Sequence, residues 1–330
     1  MTPLSTPPQI LILHPGALGD GLLSLPTIRK LRRLKPGYQI IWCGHHGLGE
    51  VLLTAGEVHA AHSFESFNSG NLWKIESLRG KPLRSQCPDK DLVIGWMKDD
   101  DGFWTSWSTQ LGYTQSFFRS PHDFYVRSGH MVERYAEALA SGIPGLGSQF
   151  ISDDLKVLQL PKGKYTELFG DRRSKSMSLE ISILLHPGSG SRQKCVSPKI
   201  FSAFARVLLR RFLGRVAFIG GPADSAFLDP ILLSLSDLDP PVFQHLDLLT
   251  VCRLFNCVRL YIGHDSGLSH LAAGCGTHSL LLFGPTDPEV WAPRGTHVRV
   301  YRERELNFSS EGLVEMVEEL LPDQLGSLVV

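Results

Sequence analysis

The chain has 330 residues, which exceeds the roughly 250–300 residues at which one hydrophobic core stops growing, so we expect two domains. Its 42% of hydrophobic and 20% of charged residues are ordinary for a globular protein. Lysine plus arginine equals aspartate plus glutamate, at 33 each, so no overall charge attracts the chain to nucleic acid.

Short apolar segments bounded by glycine and proline alternate with segments of helical period. The predicted strands are 10–13, 39–43, 91–96, 181–185, 215–220, 258–263 and 278–284, and the predicted helices are 20–34, 130–141, 198–213 and 266–274. An amphipathic terminal helix is predicted over 309–321. Unbroken apolar strands interleaved with helices are typical of parallel sheets covered on both faces. The pattern therefore predicts the α/β fold class.

The sequence His-Pro-Gly occurs twice, at 14–16 and at 186–188, each time directly after an apolar segment. This repetition indicates that both halves of the chain begin the same βα scheme. Residues 143–178, which contain "IPGLGS" and the charged "KGKYTELFGDRRSKS", form the predicted seam. We therefore expect two doubly wound domains that face each other across a central cleft.

The first loop with chemical potential is "GALGDG", residues 16–21. Glycines let the chain turn sharply after a strand and bring its backbone close to another group. Their spacing is not GxGxxG, so a nicotinamide dinucleotide site is not supported. Asp20 occupies a helix-capping position, and it also lies where an open α/β sheet places its ligands. It is therefore predicted either to cap the helix, to act as a general base, or to do both.

The second loop is "HPGSGSRQK", residues 186–194. Its small residues leave backbone N–H groups exposed before a helix that starts near Pro198, and Arg192 and Lys194 lie beside them. Such a loop is either an anion site or a plain turn with exposed cations. The Walker spacing GxxxxGK[ST] is absent, so ATP hydrolysis is not predicted.

The third loop region is "YIGHDSGLSHLAAGCGTHSLLLFGPTDP", residues 261–288. Asp265 is predicted to cap a helix on which Ser266 and His270 share one face. A second strand then ends in the turn "FGPTDP", so two loops that follow strands are expected to lie next to each other. Together they predict a site for a nucleoside diphosphate, with sugar hydroxyls meeting Asp265. The sequence "GHDSG" is not GxSxG, and the cysteine and histidine spacings fit no usual zinc site.

These three loops, in this order, resemble glycosyltransferase family 9, the ADP-heptose:lipopolysaccharide heptosyltransferases. The resemblance rests on "HPGALGDGLLSLPTIRKLRRLKPG", "LLHPGSGSRQK", "FIGGPAD" and "GHDSGLSHLAAGCGTHSLLLFGPTDP". It implies the GT-B fold, with a Rossmann-like acceptor domain over 1–165 and a Rossmann-like nucleotide-sugar domain over 175–330. The terminal helix would belong to the second domain and is a candidate to pack back on the first.

The resemblance also implies roles for individual residues. Asp20 matches the catalytic aspartate, and Asp224 stands where the family usually has glutamate. The remaining donor-binding positions are Ser189, Gly190, Lys194, Asp265, Ser266, Gly267 and His270. Cys195, Val196 and Ser197 follow the lysine where the family usually reads x-Trp-Pro. Both departures lie on the donor side of the site.

The activity implied is an inverting, single-displacement transfer of heptose from ADP-heptose to the lipopolysaccharide inner core or a related bacterial surface glycan. Asp20 would take the acceptor proton, while Lys194 and helix N-termini would stabilise the leaving diphosphate, so no metal and no other cofactor is expected. "DDD" at 99–101 is predicted to be a solvated turn. The alternatives are a GT-B enzyme that uses a UDP- or GDP-sugar and a non-catalytic nucleotide-sugar-binding homologue.

The location and the acceptor side are predicted less directly. Six cysteines without a CxxC pair, no signal-peptide pattern and no run of ~20 apolar residues indicate a cytoplasmic protein. The implied acceptor is a lipid-linked saccharide, with peripheral contact at the cytoplasmic face of the inner membrane.

The basic residues of 28–35 form either a solvated face or a surface for that anionic lipid. The three tryptophans of 95–107 either stack on sugars or pack on the sheet.

Overall fold

The computed structural model describes residues 7–65, 91–123, 129–161, 181–212, 215–302, 312 and 314–317. The chain divides into two compact units, Met1–Gln159 and Leu160–Val330. Their boundary lies inside the seam predicted at 143–178. Each unit is built on one sheet in which all paired strands are parallel, so the predicted α/β fold class is confirmed.

The first unit holds a five-stranded sheet in the order β3-β2-β1-β4-β5. Its strands are β1 (Gln9–Leu13), β2 (Gln39–Gly44), β3 (Ala60–Ser63), β4 (Leu92–Gly95) and β5 (Gln115–Phe118). Its helices are α1 (Leu18–Leu34), α2 (His46–Thr54), α3 (Phe103–Gln110) and α4 (Met131–Ala140), followed by a 3-10 turn at Ser152–Asp154. The strand order reverses beside β1, so ligands of such a sheet would meet the loop that follows β1.

The second unit holds a six-stranded sheet in the order β11-β10-β9-β6-β7-β8. Its strands are β6 (Ile183–Leu185), β7 (Val216–Gly220), β8 (Val242–Gln244), β9 (Leu260–His264), β10 (His278–Phe283) and β11 (Val298–Arg302). Its helices are α5 (Pro198–Arg211), α6 (Ser225–Ser234), α7 (Leu248–Cys257), α8 (Gly267–Gly274) and α9 (Pro288–Trp291), with 3-10 turns at Arg192–Lys194 and Pro222–Asp224. The reversal lies between β6 and β9, and His-Pro-Gly follows the first strand of each unit, which confirms the repeated scheme.

All seven predicted strands are present, and the described part of the chain adds four more, β3, β5, β8 and β11. These four are the edge strands of the two sheets. A central strand such as β1 or β7 is buried along its whole length, whereas β3 and β8 are half-buried throughout. Edge strands therefore lack the continuous apolar run on which the strand prediction depended.

The four predicted internal helices are confirmed by α1, α4, α5 and α8. Most of the predicted helix 309–321 lies outside the described residues, but 312 and 314–317 are helical. Val314, Met316 and Val317 pack into the core cluster of the second unit, beside Phe201 and Leu208 of α5. Among the helices in the described part of the chain, none is long and apolar enough to cross a membrane.

The basic face of α1 is not the open surface that the sequence suggested. Arg29 is buried, and its guanidinium lies 2.6 Å from the carboxylate of the equally buried Glu57. Arg33 pairs with Asp154 at 2.8 Å, and Arg32 lies 3.7 Å from Glu57. The prediction of a solvated or lipid-facing stripe is therefore wrong for Arg29, because partners distant in sequence neutralise it.

Residues of the stretch 95–107 mainly pack against other side chains or cap the start of α3. Trp96 and Trp107 are buried, and Trp96 donates its indole N–H to the backbone oxygen of Tyr135 at 3.0 Å. Trp104 is half-buried among other aromatic rings. The prediction of a turn at 99–101 is confirmed, and Asp99 also accepts the backbone N–H of Trp104 at 2.7 Å at the start of α3.

Removing one partner of the buried Arg29–Glu57 pair is expected to be costly. Arg29→Met would remove the 2.6 Å partner of the buried Glu57 carboxylate and leave it beside the partly exposed Arg32, 3.7 Å away, and we expect the unfolding free energy to fall by about 3–5 kcal/mol. Arg32→Met is the matched control, because the Arg32 side chain is 39% exposed. Its expected cost is about 0–1 kcal/mol. Urea denaturation measures both, and equal losses would contradict the structural role of the buried pair.

Candidate active site

Asp20 lies in the first turn of α1, directly after the loop that follows β1. Its Oδ2 accepts the backbone N–H of Ala17 at 3.2 Å, so Asp20 satisfies a free N–H group at the helix start from inside the first turn, while the N-cap position itself is Ala17 and not Asp20 as the sequence predicted. A methyl group added at Gly16 would lie 2.6 Å from the His14 ring and 2.9 Å from the Asp20 Cβ. The loop is therefore closely packed, and the half-buried carboxylate sits at the positive end of a helix, which favours its ionised form.

Aromatic rings surround His14, a residue that the sequence analysis did not place in the site. Trp42 and Tyr135 stack on its ring at centroid distances of 5.1 and 5.6 Å, and Trp96 meets it edge-on at 5.5 Å. Its Nδ1 accepts the backbone N–H of Gly16 at 3.2 Å. Burial lowers the pKa of His14 to about 4, so the ring is neutral at physiological pH. A neutral imidazole thus supports the turn that carries the carboxylate.

The predicted phosphate loop reaches the loop that follows β9. Lys194 ends the 3-10 turn after β6, and its ammonium lies 2.7 Å from Oδ2 of Asp265. The Ser189 hydroxyl donates to the backbone oxygen of Asp265 at 2.5 Å. Gly190 is exposed, with no heavy atom within 4 Å of the position a Cβ would take. Two loops predicted to share a site are therefore in direct contact.

Thr286 is a site residue that the sequence analysis missed. It lies in "FGPTDP" after β10, and its hydroxyl donates to Oδ2 of Asp265 at 2.7 Å. Asp265 is buried, so its carboxylate needs such donors to offset its lost hydration. The turn "FGPTDP" was predicted to lie beside the loop that carries Asp265, and β10 does neighbour β9 in the sheet, but Thr286 was not singled out within that turn.

The N-cap of α8 is Ser266, not Asp265 as the sequence predicted. The Ser266 hydroxyl accepts the backbone N–H of Ser269 at 3.3 Å. This arrangement leaves the Asp265 carboxylate to Lys194 and Thr286. Gly267 begins α8, and His270 is buried one turn further on.

Asp224 points into the protein. Its Oδ2 accepts the backbone N–H of Gly221 at 2.7 Å and lies 3.1 Å from Nε2 of His186. Burial opposes ionisation, but the hydrogen bond and charge of His186, together with the Gly221 bond, outweigh it and hold the pKa of Asp224 below its usual value. The hydrogen bonds of the Asp224 carboxylate are therefore made within the protein, to the Gly221 N–H group and the His186 ring.

The second unit thus gathers Ser189, Lys194, Asp265 and Ser266 at the carboxyl edge of its sheet, while Asp20 occupies the corresponding edge in the first unit. In the described ranges, no group of three or more His, Cys, Asp or Glu side chains could hold a metal ion. A polar cavity of about 380 Å³ lies beside β5 in the first unit and includes none of the predicted site residues.

Comparison with known proteins gives a family assignment. The model of glycosyltransferase family 9 (heptosyltransferase) matches residues 102–314, more than half of the chain. The match includes every predicted donor-side residue and begins after Asp20. No curated protein sequence matches the chain.

Solved structures share the fold across almost the whole chain. The glycosyl transferase family 9 protein from Veillonella parvula DSM 2008 superposes with a TM-score of 0.74 at 18% identity, covering 96% of this chain and 98% of that one. E. coli ADP-heptose lps heptosyltransferase II gives 0.72 at 20% identity, with 96% and 99% covered. E. coli heptosyltransferase WaaC with ADP gives 0.65 at 17% identity, with 94% and 99% covered.

The chain therefore belongs to glycosyltransferase family 9. Its two parallel-sheet units are of the GT-B type, and it is a glycosyltransferase.

Acidification is expected to destabilise the protein through its buried histidines. Burial lowers the pKa of His14 to about 4 and that of His264 to about 3, below the ordinary histidine pKa of 6.5. A neutral buried histidine contributes fully above pH 6.5, and its contribution is lost as pH falls toward the folded-state pKa. Between pH 7 and pH 5 we expect His14 to cost about 2 kcal/mol of unfolding free energy.

Urea denaturation of the wild type and His14→Gln at both pH values measures this contribution. The variant should lose less stability on acidification than the wild type. His46→Gln is the control, because the His46 side chain is 60% exposed and the variant should keep the full pH dependence. An unchanged pH dependence in His14→Gln would contradict the neutral buried state.

Proposed function

We propose that this glycosyltransferase transfers a heptose from ADP-heptose to the lipopolysaccharide inner core or a related surface glycan, with inversion at the anomeric carbon. The observation that carries the proposal is the convergence of Ser189, Lys194 and Thr286 on Asp265. These residues come from the loops after three strands of the second sheet, and all of them lie within the residues matched by the family model.

The geometry of this cluster suits a nucleoside diphosphate sugar. The Lys194 side chain is 32% exposed, so a diphosphate can reach its ammonium. The N-terminus of α8 adds backbone N–H groups and a positive dipole end for the same anion. Both side-chain donors to Asp265 contact Oδ2, which among the described contacts leaves Oδ1 to accept from a sugar hydroxyl.

The proposed transfer is a single displacement. The acceptor hydroxyl oxygen attacks C1 of the sugar as the bond from C1 to the diphosphate oxygen breaks, and that oxygen keeps the bonding electron pair. Asp20 accepts the proton from the acceptor hydroxyl. Lys194 and the α8 N-terminus stabilise the negative charge that grows on the departing diphosphate.

The proposed identities of the donor and the acceptor rest on similarity to other proteins as well as on geometry. The two E. coli structures named above are heptosyltransferases, one described with ADP-heptose and lps and one bound to ADP, which supports an adenine nucleotide donor. The acceptor would be a lipid-linked saccharide, met at the cytoplasmic face of the inner membrane by peripheral contact. A UDP- or GDP-sugar is the second candidate, because residues 195–197 and Asp224 depart from the family pattern.

Calorimetric titration with ADP, UDP, GDP and NAD tests the donor class. We expect ADP to bind in preference to the others and Lys194→Ala to weaken it about tenfold or more, because a charge-assisted hydrogen bond is lost. Lys199→Ala, at an exposed lysine nearby, is the matched control and should bind as the wild type does. Preference for UDP or GDP would replace the donor, and no nucleotide binding would contradict the proposed site.

Replacing the proposed base tests catalysis separately from binding. Asp20→Asn keeps the side-chain size and an acceptor for the Ala17 N–H group but cannot take a proton. With ADP-heptose and truncated lipopolysaccharide, we expect kcat to fall about 10²–10⁴-fold while ADP affinity stays unchanged. Asp153→Asn, at an exposed aspartate in the same unit, should retain full turnover. Full turnover by Asp20→Asn would rule out this role.

A further inference from the structure

A buried hydrogen-bond network centred on His186 joins three strands at the carboxyl edge of the second sheet. His186 follows β6 and is only 2% exposed. Its Nε2 lies 3.1 Å from Oδ2 of Asp224, which follows β7. Its Nδ1 lies 3.0 Å from the hydroxyl of Tyr261 on β9 and 3.4 Å from that of Ser266. One imidazole therefore connects the ends of β6, β7 and β9.

The chemistry of the groups fixes several bond directions. A carboxylate only accepts, so His186 donates through Nε2 to Asp224. A carbonyl oxygen also only accepts, so Ser269 donates its hydroxyl proton to the backbone oxygen of His264. The Ser269 oxygen then lies 3.1 Å from the Tyr261 hydroxyl and 3.0 Å from that of Ser266. The network thus runs from Asp224 to Ser266, the N-cap of α8.

The same network supports the loop that carries the phosphate-binding candidates. The carboxylate of Asp224 fills the space beside Gly188, where an added Cβ would collide with Oδ1. Gly188 leads directly into Ser189 and then Lys194. Displacement of the Asp224 carboxylate would therefore disturb the phosphate loop and, through His186, the start of α8.

We propose that Asp224 and His186 are positioning residues for the donor site, and that Asp224 acts through His186 and the loop at Gly188 instead of contacting the donor. This inference rests on the proposed function of the site. It gives Asp224 a role different from the direct donor contact implied by sequence similarity. His186 is too deeply buried to touch a ligand, so any effect it has on binding must pass through the residues it holds.

A double-mutant cycle on ADP binding tests this role. Asp224→Asn and Tyr261→Phe change groups that are linked through His186, and we expect each to weaken ADP about tenfold. Because both substitutions act through one network, their effects on ADP affinity should not multiply. The double variant should bind ADP at most about twofold more weakly than whichever single variant has the lower ADP affinity. Losses that multiply would show that Asp224 contacts the donor independently, and would overturn the proposal.

A second readout separates positioning from general destabilisation. A displaced phosphate loop should weaken ADP more than AMP, because the additional phosphate depends on the loop around Ser189 and Lys194. Equal weakening of ADP and AMP would overturn the proposal. Thr277→Val is the matched control, since it also removes a buried hydroxyl hydrogen bond, of 2.9 Å to Phe255, at the opposite end of the sheet. Thr277→Val should leave the ratio of ADP affinity to AMP affinity as it is in the wild type.

The wild-type titration keeps this test distinct from that of the proposed function. Failure of the wild type to bind any nucleoside diphosphate would refute the proposed site itself. Binding by the wild type that neither Asp224→Asn nor Tyr261→Phe changes would refute only the positioning role. Tyr261→Phe keeps the aromatic ring and its packing, so it remains informative if Asp224→Asn does not fold.

Discussion

The second unit is organised around one buried carboxylate, that of Asp265, whose lost hydration is offset by hydrogen-bond donors. Asp265 is placed after β9 by a parallel sheet, and at that depth its charge requires donors. Lys194 and Thr286 supply them from loops that are distant in sequence but adjacent at the sheet edge. The loops after β6, β9 and β10 are therefore held at one point, which is the condition for a compact anion site.

The first unit uses a different means for the same purpose. Packing holds its loop after β1, because the neutral His14 ring is enclosed by aromatic side chains and Gly16 leaves room for no side chain. Both units share the same strand order around their first strand, so the difference lies in the loops and not in the sheets.

Much of this organisation could be predicted from the sequence, for reasons that differ between elements. Central strands such as β1 and β9 are buried on both faces and show unbroken apolar runs, whereas edge strands such as β3 are half-buried and do not. The loops with Asp20, Lys194 and Asp265 were recognisable because small residues followed apolar strands. The turn "GPTDP" was placed at the site, but Thr286 was not singled out, because a threonine in a turn carries no distinguishing signal. Arg29 was misjudged because its partner Glu57 lies 28 residues away.

The ion pair between Lys194 and Asp265 also bears on how the site interacts with small anions. The ammonium lies 2.7 Å from a carboxylate, so its field is largely cancelled beyond the immediate surroundings. An incoming anion gains little from the lysine until it competes with that carboxylate at close range. A single inorganic ion must do this with few contacts, while a donor of the proposed kind would bring a base, a ribose and a second phosphate to share the task. On the proposed function, the ion pair would therefore favour large, multiply anchored ligands over the small anions that surround the protein.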